Sequence, residues 1–311
     1  MPQRFKHPRV RDLAWVIASP VMLRGDIADR PSFSGQACDD AFLKALPKLE
    51  ELDADPNPLL SYLEKLPGHR VGRYFEALTN YWLRNLTTFD VVTNNLQLRR
   101  GKQTLGEIDF LFRDGEQLVH WEAAVKYYLQ LKPGCEDHEF IGPNTADNLA
   151  SKLGRLFEKQ LPRSTPENLA LALGPLNGTD CIRRQAFVKG WLFYHCSETS
   201  PGELPGHLNS NHLKGFWIRH GEDELPKNPN EGLWALLTKP YWLAPLITHD
   251  QGALLTRRPL ELLLESHFST RESPLLVAQL QRNDSGYEEI SRGFVVPANW
   301  PHLTNPPKPL R

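Results

Sequence analysis

The sequence predicts an α/β protein with a helical N-terminal part, an α/β core and a C-terminal α/β extension. Three observations lead there. Apolar residues ahead of position 89 recur at helical spacing. From Phe89 the pattern changes to short extended runs, and residues 106–125 read as two strands joined by a tight turn. Helical and extended runs then alternate to the end, so we divide the chain into 1–69, 70–165 and 166–311.

The elements follow in order. Leu13, Val16 and Ile17 have amphipathic spacing, and Ser19-Pro20 stops that helix. Residues 41–52 form a second helix. Residues 59–66 form a third, ended by Pro67-Gly68. The longest helix of this half spans 71–86, with Tyr74, Leu78, Tyr81 and Trp82 as its apolar stripe and Glu76 off it. Next comes an extended stretch, 91–99, in which Gln97 points opposite to Leu96 and Leu98. Residues 104–113 and 117–125 form a hairpin around Asp114-Gly115. A Gly/Pro-containing loop (132–144) leads to a helix over 145–160, with Thr145 as N-cap. Its Lys152, Arg155 and Lys159 read as one solvated basic edge. Strands at 185–194 and 215–219, an aromatic segment at 240–246 and a helix at 260–264 follow. A hairpin of 275–281 with 290–296 closes the core, and 305–311 is a proline-rich tail.

Composition narrows the function classes. Of 311 residues, 40% are hydrophobic and 23% charged, a globular balance. The net charge of -1 gives no whole-protein field for nucleic acid, so such a partner needs a local patch. No apolar run reaches the length of a membrane span, and the run after the basic N-terminus is too short for a secretory segment. Cys38, Cys135, Cys181 and Cys196 show no paired framework and read as reduced thiols of a cytoplasmic protein. The Cys135-x-x-His138 spacing lacks a second half-site and reads as loop residues. No Walker lysine loop, G-x-G-x-x-G, G-x-S-x-G or H-E-x-x-H occurs.

The chemistry concentrates in Gly106-Glu107-Ile108-Asp109-Phe110-Leu111-Phe112, Leu118-Val119-His120-Trp121-Glu122 and Lys126. Carboxylates among such apolar neighbours are costly to bury unpaired, and a divalent cation offsets that cost. Alternation places Glu107 with Asp109, and Glu122 with Lys126, so strand pairing could gather Asp109, Glu122 and Lys126 on one face. Two carboxylates suffice to anchor Mg²⁺ (or Mn²⁺), which keeps several waters. Asp109 could equally pair with an arginine. Lys126 could equally reach solvent, and Glu76 could lie on a helix surface. His120 reads first as a structural histidine and second as a ligand or base. Gln97 and Lys152 are candidates for contacts to a nucleic-acid backbone, or solvated positions. Trp191, Phe193, Tyr194, Trp217, Trp234, Tyr241 and Trp242 read as core before base-stacking.

The string GEIDFLFRDGEQLVHWE resembles the core hairpin of the PD-(D/E)XK nuclease superfamily. The resemblance covers residues 70–160 and implies a restriction-endonuclease-like core, a mixed sheet flanked by helices. It implies Asp109 and Glu122 as metal carboxylates, Glu76 as the helix glutamate and Lys126 as the lysine. The implied activity is Mg²⁺-dependent phosphodiester hydrolysis of DNA or RNA. The pattern puts its lysine two residues after the acid, where Ala124 stands. Lys126 is four residues on, roughly 13 Å along an ideal strand at about 3.3 Å per residue. A bulge, the reach of the lysine stem or a decayed site would each account for this. The decayed case gives the alternative, a non-catalytic module binding nucleic acid or protein. Leu13-Ala14-Trp15, Trp191-Leu192-Phe193-Tyr194 and Arg292-Gly293-Phe294-Val295-Val296-Pro297 also resemble an uncharacterised bacterial domain family.

Overall fold

The chain is described by a computed structural model covering residues 4–174, 182–198, 202–227, 232–284 and 286–301. Four helices come first: α1 Pro8–Ala18, α2 Gly35–Ala54, α3 Asn57–Leu63 and α4 Val71–Tyr81. α4 runs on as a π-helical turn, Trp82–Leu86. α1 opens on Pro8 with the His7 ring accepting from the Arg9 amide, and α2 opens on Ser34, whose hydroxyl accepts from Ala37.

Three strands follow: β1 Asp90–Arg100, β2 Gln103–Asp114 and β3 Gln117–Gln130. The β2–β3 turn is Gly115-Glu116, with Gly115 at φ 61°, a conformation that suits glycine. After β4 (Phe140–Ile141) comes α5, Leu149–Gly154, then a π-helical segment Arg155–Gln160. The expected helix over 145–160 is therefore corrected in two ways. Asn148, not Thr145, caps it through the Ser151 amide, and its second half winds wider. The remaining elements are α6 Pro166–Leu173, β5 Arg183–His195, β6 Leu213–Arg219, β7 Leu233–Leu237, β8 Ile247–Thr248, α7 Arg257–Phe268, β9 Leu275–Asn283 and β10 Gly286–Val296. α6 and β7 were not anticipated from the sequence. The expected tail, 305–311, lies outside the described residues, as does Cys181.

The strands form one mixed sheet of ten, ordered β1-β2-β3-β5-β6-β10-β9-β7, with β4 beside β3 and β8 beside β10. β3–β5, β5–β6 and β6–β10 pair in parallel and the other pairs are antiparallel. β5, β6, β10, β9 and β7 thus extend the same sheet strand by strand beyond β3. Helices cover both faces. α1, α2 and α4 pack on the face bearing Trp121, Ala123, Val125 and Tyr127. α5 and the π-helical segment after it lay Leu149, Leu153 and Leu156 against Tyr128, Val188 and Leu192 on the other. The first face is held by aromatic contacts: Trp121 stacks on Phe187 at 4.8 Å between centroids, and Phe75 of α4 stacks on the same ring at 5.8 Å. Trp191, Phe193, Tyr194, Trp217, Trp234 and Trp242 are all buried, whereas Tyr241 is exposed beneath the Arg9 guanidinium. Among the described residues, no helix is long and apolar enough to cross a membrane.

Candidate metal and phosphodiester site

β2 pairs with β3 only from Phe110 to Asp114, then parts from it and runs on with β1 alone. At the fork the ladder is replaced by a side chain: Asp109 Oδ2 accepts the Ala123 amide at 2.9 Å. On its far side β3 is locked to β5 from Val119 to Leu129. The fork therefore leaves a recess in which Asp109 and Glu122 face each other. The two carboxyls feel each other's charge, since ionised Glu122 disfavours ionisation of Asp109.

Both carboxyls are pushed up to about 7, Asp109 by burial and then by the charge of Glu122, and Glu122 by burial. Glu76, entering from α4, is also raised to about 7, by burial and then by Asp109 and Glu107. Three acids from three elements thus share one region with too little compensating charge.

The donors around Glu122 are neutral. His120 Nε2 lies 3.0 Å from Glu122 Oε1, and its Nδ1 lies 2.8 Å from Ser164 Oγ. Ser164 Oγ also accepts from the Arg184 guanidinium at 3.0 Å and lies 3.5 Å from the Leu161 carbonyl. An ionised Glu122 can only accept, so against it the neutral His120 ring carries its proton on Nε2. Burial lowers His120 to about 4, which keeps the ring neutral near pH 7. His120 is a buried structural group, as first read, yet what it structures is the candidate site. Gln160 completes the arrangement: its amide nitrogen donates to Glu122 Oε2 at 2.5 Å and its oxygen accepts from Lys152 Nζ at 3.3 Å.

Lys152 differs most from its expected surroundings. Leu149, Leu153 and Leu156 form the buried stripe of α5, and Lys152 lies along that stripe, so its stem runs inward. Arg155 and Lys159 stay exposed, so the expected basic edge is split. Burial and then Lys126 lower the ammonium of Lys152, while Asp109 and Glu122 hold it up. Lys126 is on the Glu122 face of β3, but its Nζ lies 2.5 Å from Asp147 Oδ2. Gln97 is exposed on β1 and accepts from Arg99 at 2.8 Å, outside the cluster.

Asp109, Glu122, Glu76 and Lys152 are thus brought together, Lys126 stands beside them, and Gln97 does not join. Sequence reading missed Gln160 and Ser164. The only trace of Gln160 is its position eight residues beyond Lys152 on the same expected helix. The donor set, anionic oxygens with no Lys or Arg ion pair to Glu122 or Asp109 among the described residues, fits a hard cation such as Mg²⁺ or Mn²⁺.

Beside Lys126 opens a cleft of about 530 Å³, lined in part by His69, Arg70, Lys126, Asn144, Asp147 and Lys239. Its charged lining is Arg70, Lys126 and Lys239 with Asp147, the last paired with Lys126. Comparison of the chain with curated proteins and with solved structures gives no match. A family model does match, over residues 11–296, which spans the whole sheet and the candidate site. The chain belongs to the family described as Domain of unknown function (DUF1853).

Proposed function

We propose that the chain is a metal-dependent phosphodiester hydrolase of the PD-(D/E)XK type, acting on nucleic acid. One observation carries the reading: Asp109 and Glu122 sit at the β2–β3 fork, both raised to about 7, and Glu76 and the Lys152 ammonium act on them or are acted on by them electrostatically. Mg²⁺ or Mn²⁺ held by Asp109 and Glu122 would supply Lewis acidity toward a phosphate oxygen and an attacking water. The chain's own groups do the rest. His120 and Gln160 fix the two oxygens of Glu122 by hydrogen bonds. Lys152, aligned by Gln160, faces the charge that develops on the phosphate. Glu76, with a pKa near neutrality, is suited to take a proton from water. Lys126, Arg70, His69 and Lys239 along the cleft offer charge to neighbouring backbone phosphates. In this reading Lys152 takes the role that the sequence pattern gives to position 124 or to Lys126. Four cysteines without a paired framework suit a reducing compartment, and a cytoplasmic location belongs to this reading.

The test is cleavage of linear, branched and single-stranded DNA and of RNA in Mg²⁺ or Mn²⁺, by wild type, Asp109→Asn and Lys152→Ala. Metal-dependent cleavage lost in both variants supports the reading. A second reading, a non-catalytic binding module, is favoured by Ala124 at the usual lysine position. It prevails if calorimetry shows no divalent-ion binding while nucleic acid still binds.

A further inference from the structure

Far along β5 from the fork, beyond the last strand row that pairs with β3, His195, Cys196 and Asp223 meet. One ligand atom from each lies within 4.8 Å of the other two, and no other set of three His, Cys, Asp or Glu residues does so among the described residues. We propose that these three side chains bind a divalent transition-metal ion of the zinc class.

The backbone brings them together. His195 ends β5 and pairs with Trp217 of β6, whose ring meets the imidazole edge-on at 4.6 Å between centroids. The Cys196 amide donates to the Trp217 carbonyl at 3.1 Å, so the chain turns out of the sheet with the thiol next to the ring. Asp223 arrives from the turn that follows β6, where its amide donates to the Arg219 carbonyl at 3.0 Å. Its Oδ2 stands 3.0 Å from His195 Nε2.

The set has the chemistry of such a site. One imidazole, one thiolate and one carboxylate are the ligand types that zinc takes, at about 2.0–2.3 Å each, and a thiolate selects against Mg²⁺ and Ca²⁺. Ligand atoms bound to one ion at those lengths stand about 3–4 Å apart, so His195 Nε2 and Asp223 Oδ2 already have that separation. Two of the ligands are also held from behind. His195 Nδ1 lies 2.7 Å from Ser197 Oγ and 3.4 Å from the Ser197 amide, contacts that hold the ring with Nε2 toward Asp223. The Arg219 amide donates to Asp223 Oδ2 at 2.7 Å and fixes that carboxylate. The Arg219 guanidinium lies over the Trp217 ring and toward the Trp300 carbonyl; it makes no close ion pair with Asp223, though its charge helps keep that carboxylate ionised. Three ligands leave a fourth position open on the solvent side.

The experiment is titration of the full metal-free chain with Co²⁺, read by the thiolate-to-cobalt charge-transfer absorption, then back-titration with Zn²⁺. The expected result is one thiolate-bound cobalt per chain, displaced by Zn²⁺. The band should be absent in Cys196→Ser and the affinity at least about tenfold weaker in Asp223→Asn. Cys196 and Asp223 are only partly covered, so both variants should fold, and circular dichroism checks this. Asp109→Asn should keep the band, which separates this site from the fork. The absence of a band in the wild type, or its persistence in Cys196→Ser, overturns the proposal.

Discussion

The Lys126 ammonium rests 2.5 Å from Asp147 Oδ2, on the loop ahead of α5, and not on Glu122 of its own strand. The same helix sends Lys152 toward the two acids at the fork. In the proposed reading the lysine acting beside Glu122 thus comes from α5, across the recess. Kinetics should separate the pair. Lys152→Ala should lower kcat by roughly 10²-fold or more, as loss of a charge-stabilising donor does. Lys126→Ala should mainly raise KM for nucleic acid, with kcat changed by less than about tenfold.

Gln160 is the link between Lys152 and Glu122, and its removal leaves a buried carboxylate oxygen without a partner. Gln160→Ala should weaken Mg²⁺ or Mn²⁺ binding by about 10–100-fold, the usual cost of losing an outer-shell partner. Isothermal titration calorimetry reads this directly. Unchanged affinity would mean that Glu122 needs no support from the π-helical segment.

The raised acids set the pH dependence of metal binding. A carboxyl with a folded-state pKa of about 7 must release its proton to hold a cation, so affinity should rise between about pH 6 and 8. Binding at pH 6.5 should release protons, seen as a dependence of the calorimetric heat on buffer ionisation enthalpy.

The same shifts have a stability consequence of opposite sign to that of an ion-paired acid. The folded form of Asp109 holds its proton up to about pH 7, whereas the unfolded group loses it near 4. Between those values the folded state binds more protons, so this contribution to stability falls as pH rises. Asp109→Asn should therefore melt higher than wild type in metal-free buffer at pH 8, by at least about 2 °C, and lose that advantage toward pH 5. Differential scanning calorimetry at both pH values is the check.

Gly190 of β5 pairs with Lys126 of β3 at φ 139°. A Cβ there would fall 1.8 Å from the Lys126 carbonyl oxygen. Gly190→Ala should cost on the order of 3 kcal/mol or more, since strain and a backbone clash combine. Urea denaturation measures it, and a cost below about 1 kcal/mol would show that β5 can move away from β3.

Much of this was readable from the chain, for identifiable reasons. The hairpin was readable because Gly115 punctuates two apolar runs, and α4 because Tyr74, Leu78, Tyr81 and Trp82 keep a helical period. Asp109 and Glu122 were readable because acids in such strands are rare. Gln160, Ser164 and the inward turn of Lys152 were not. They depend on how far the π-helical segment under-winds and on the seating of α5 over β3, neither of which leaves a period in the sequence. The parallel partnership of β3 with β5 spans more than fifty residues and has no local signal.

That partnership also fixes how the molecule can be cut. A fragment ending at residue 165 would strip the neighbour from β3 along Val119–Leu129, baring a long, mostly apolar edge. Such a piece would self-associate through that edge, so the β2–β3 hairpin is not a portable module; it needs the second half of the chain as its lateral seal.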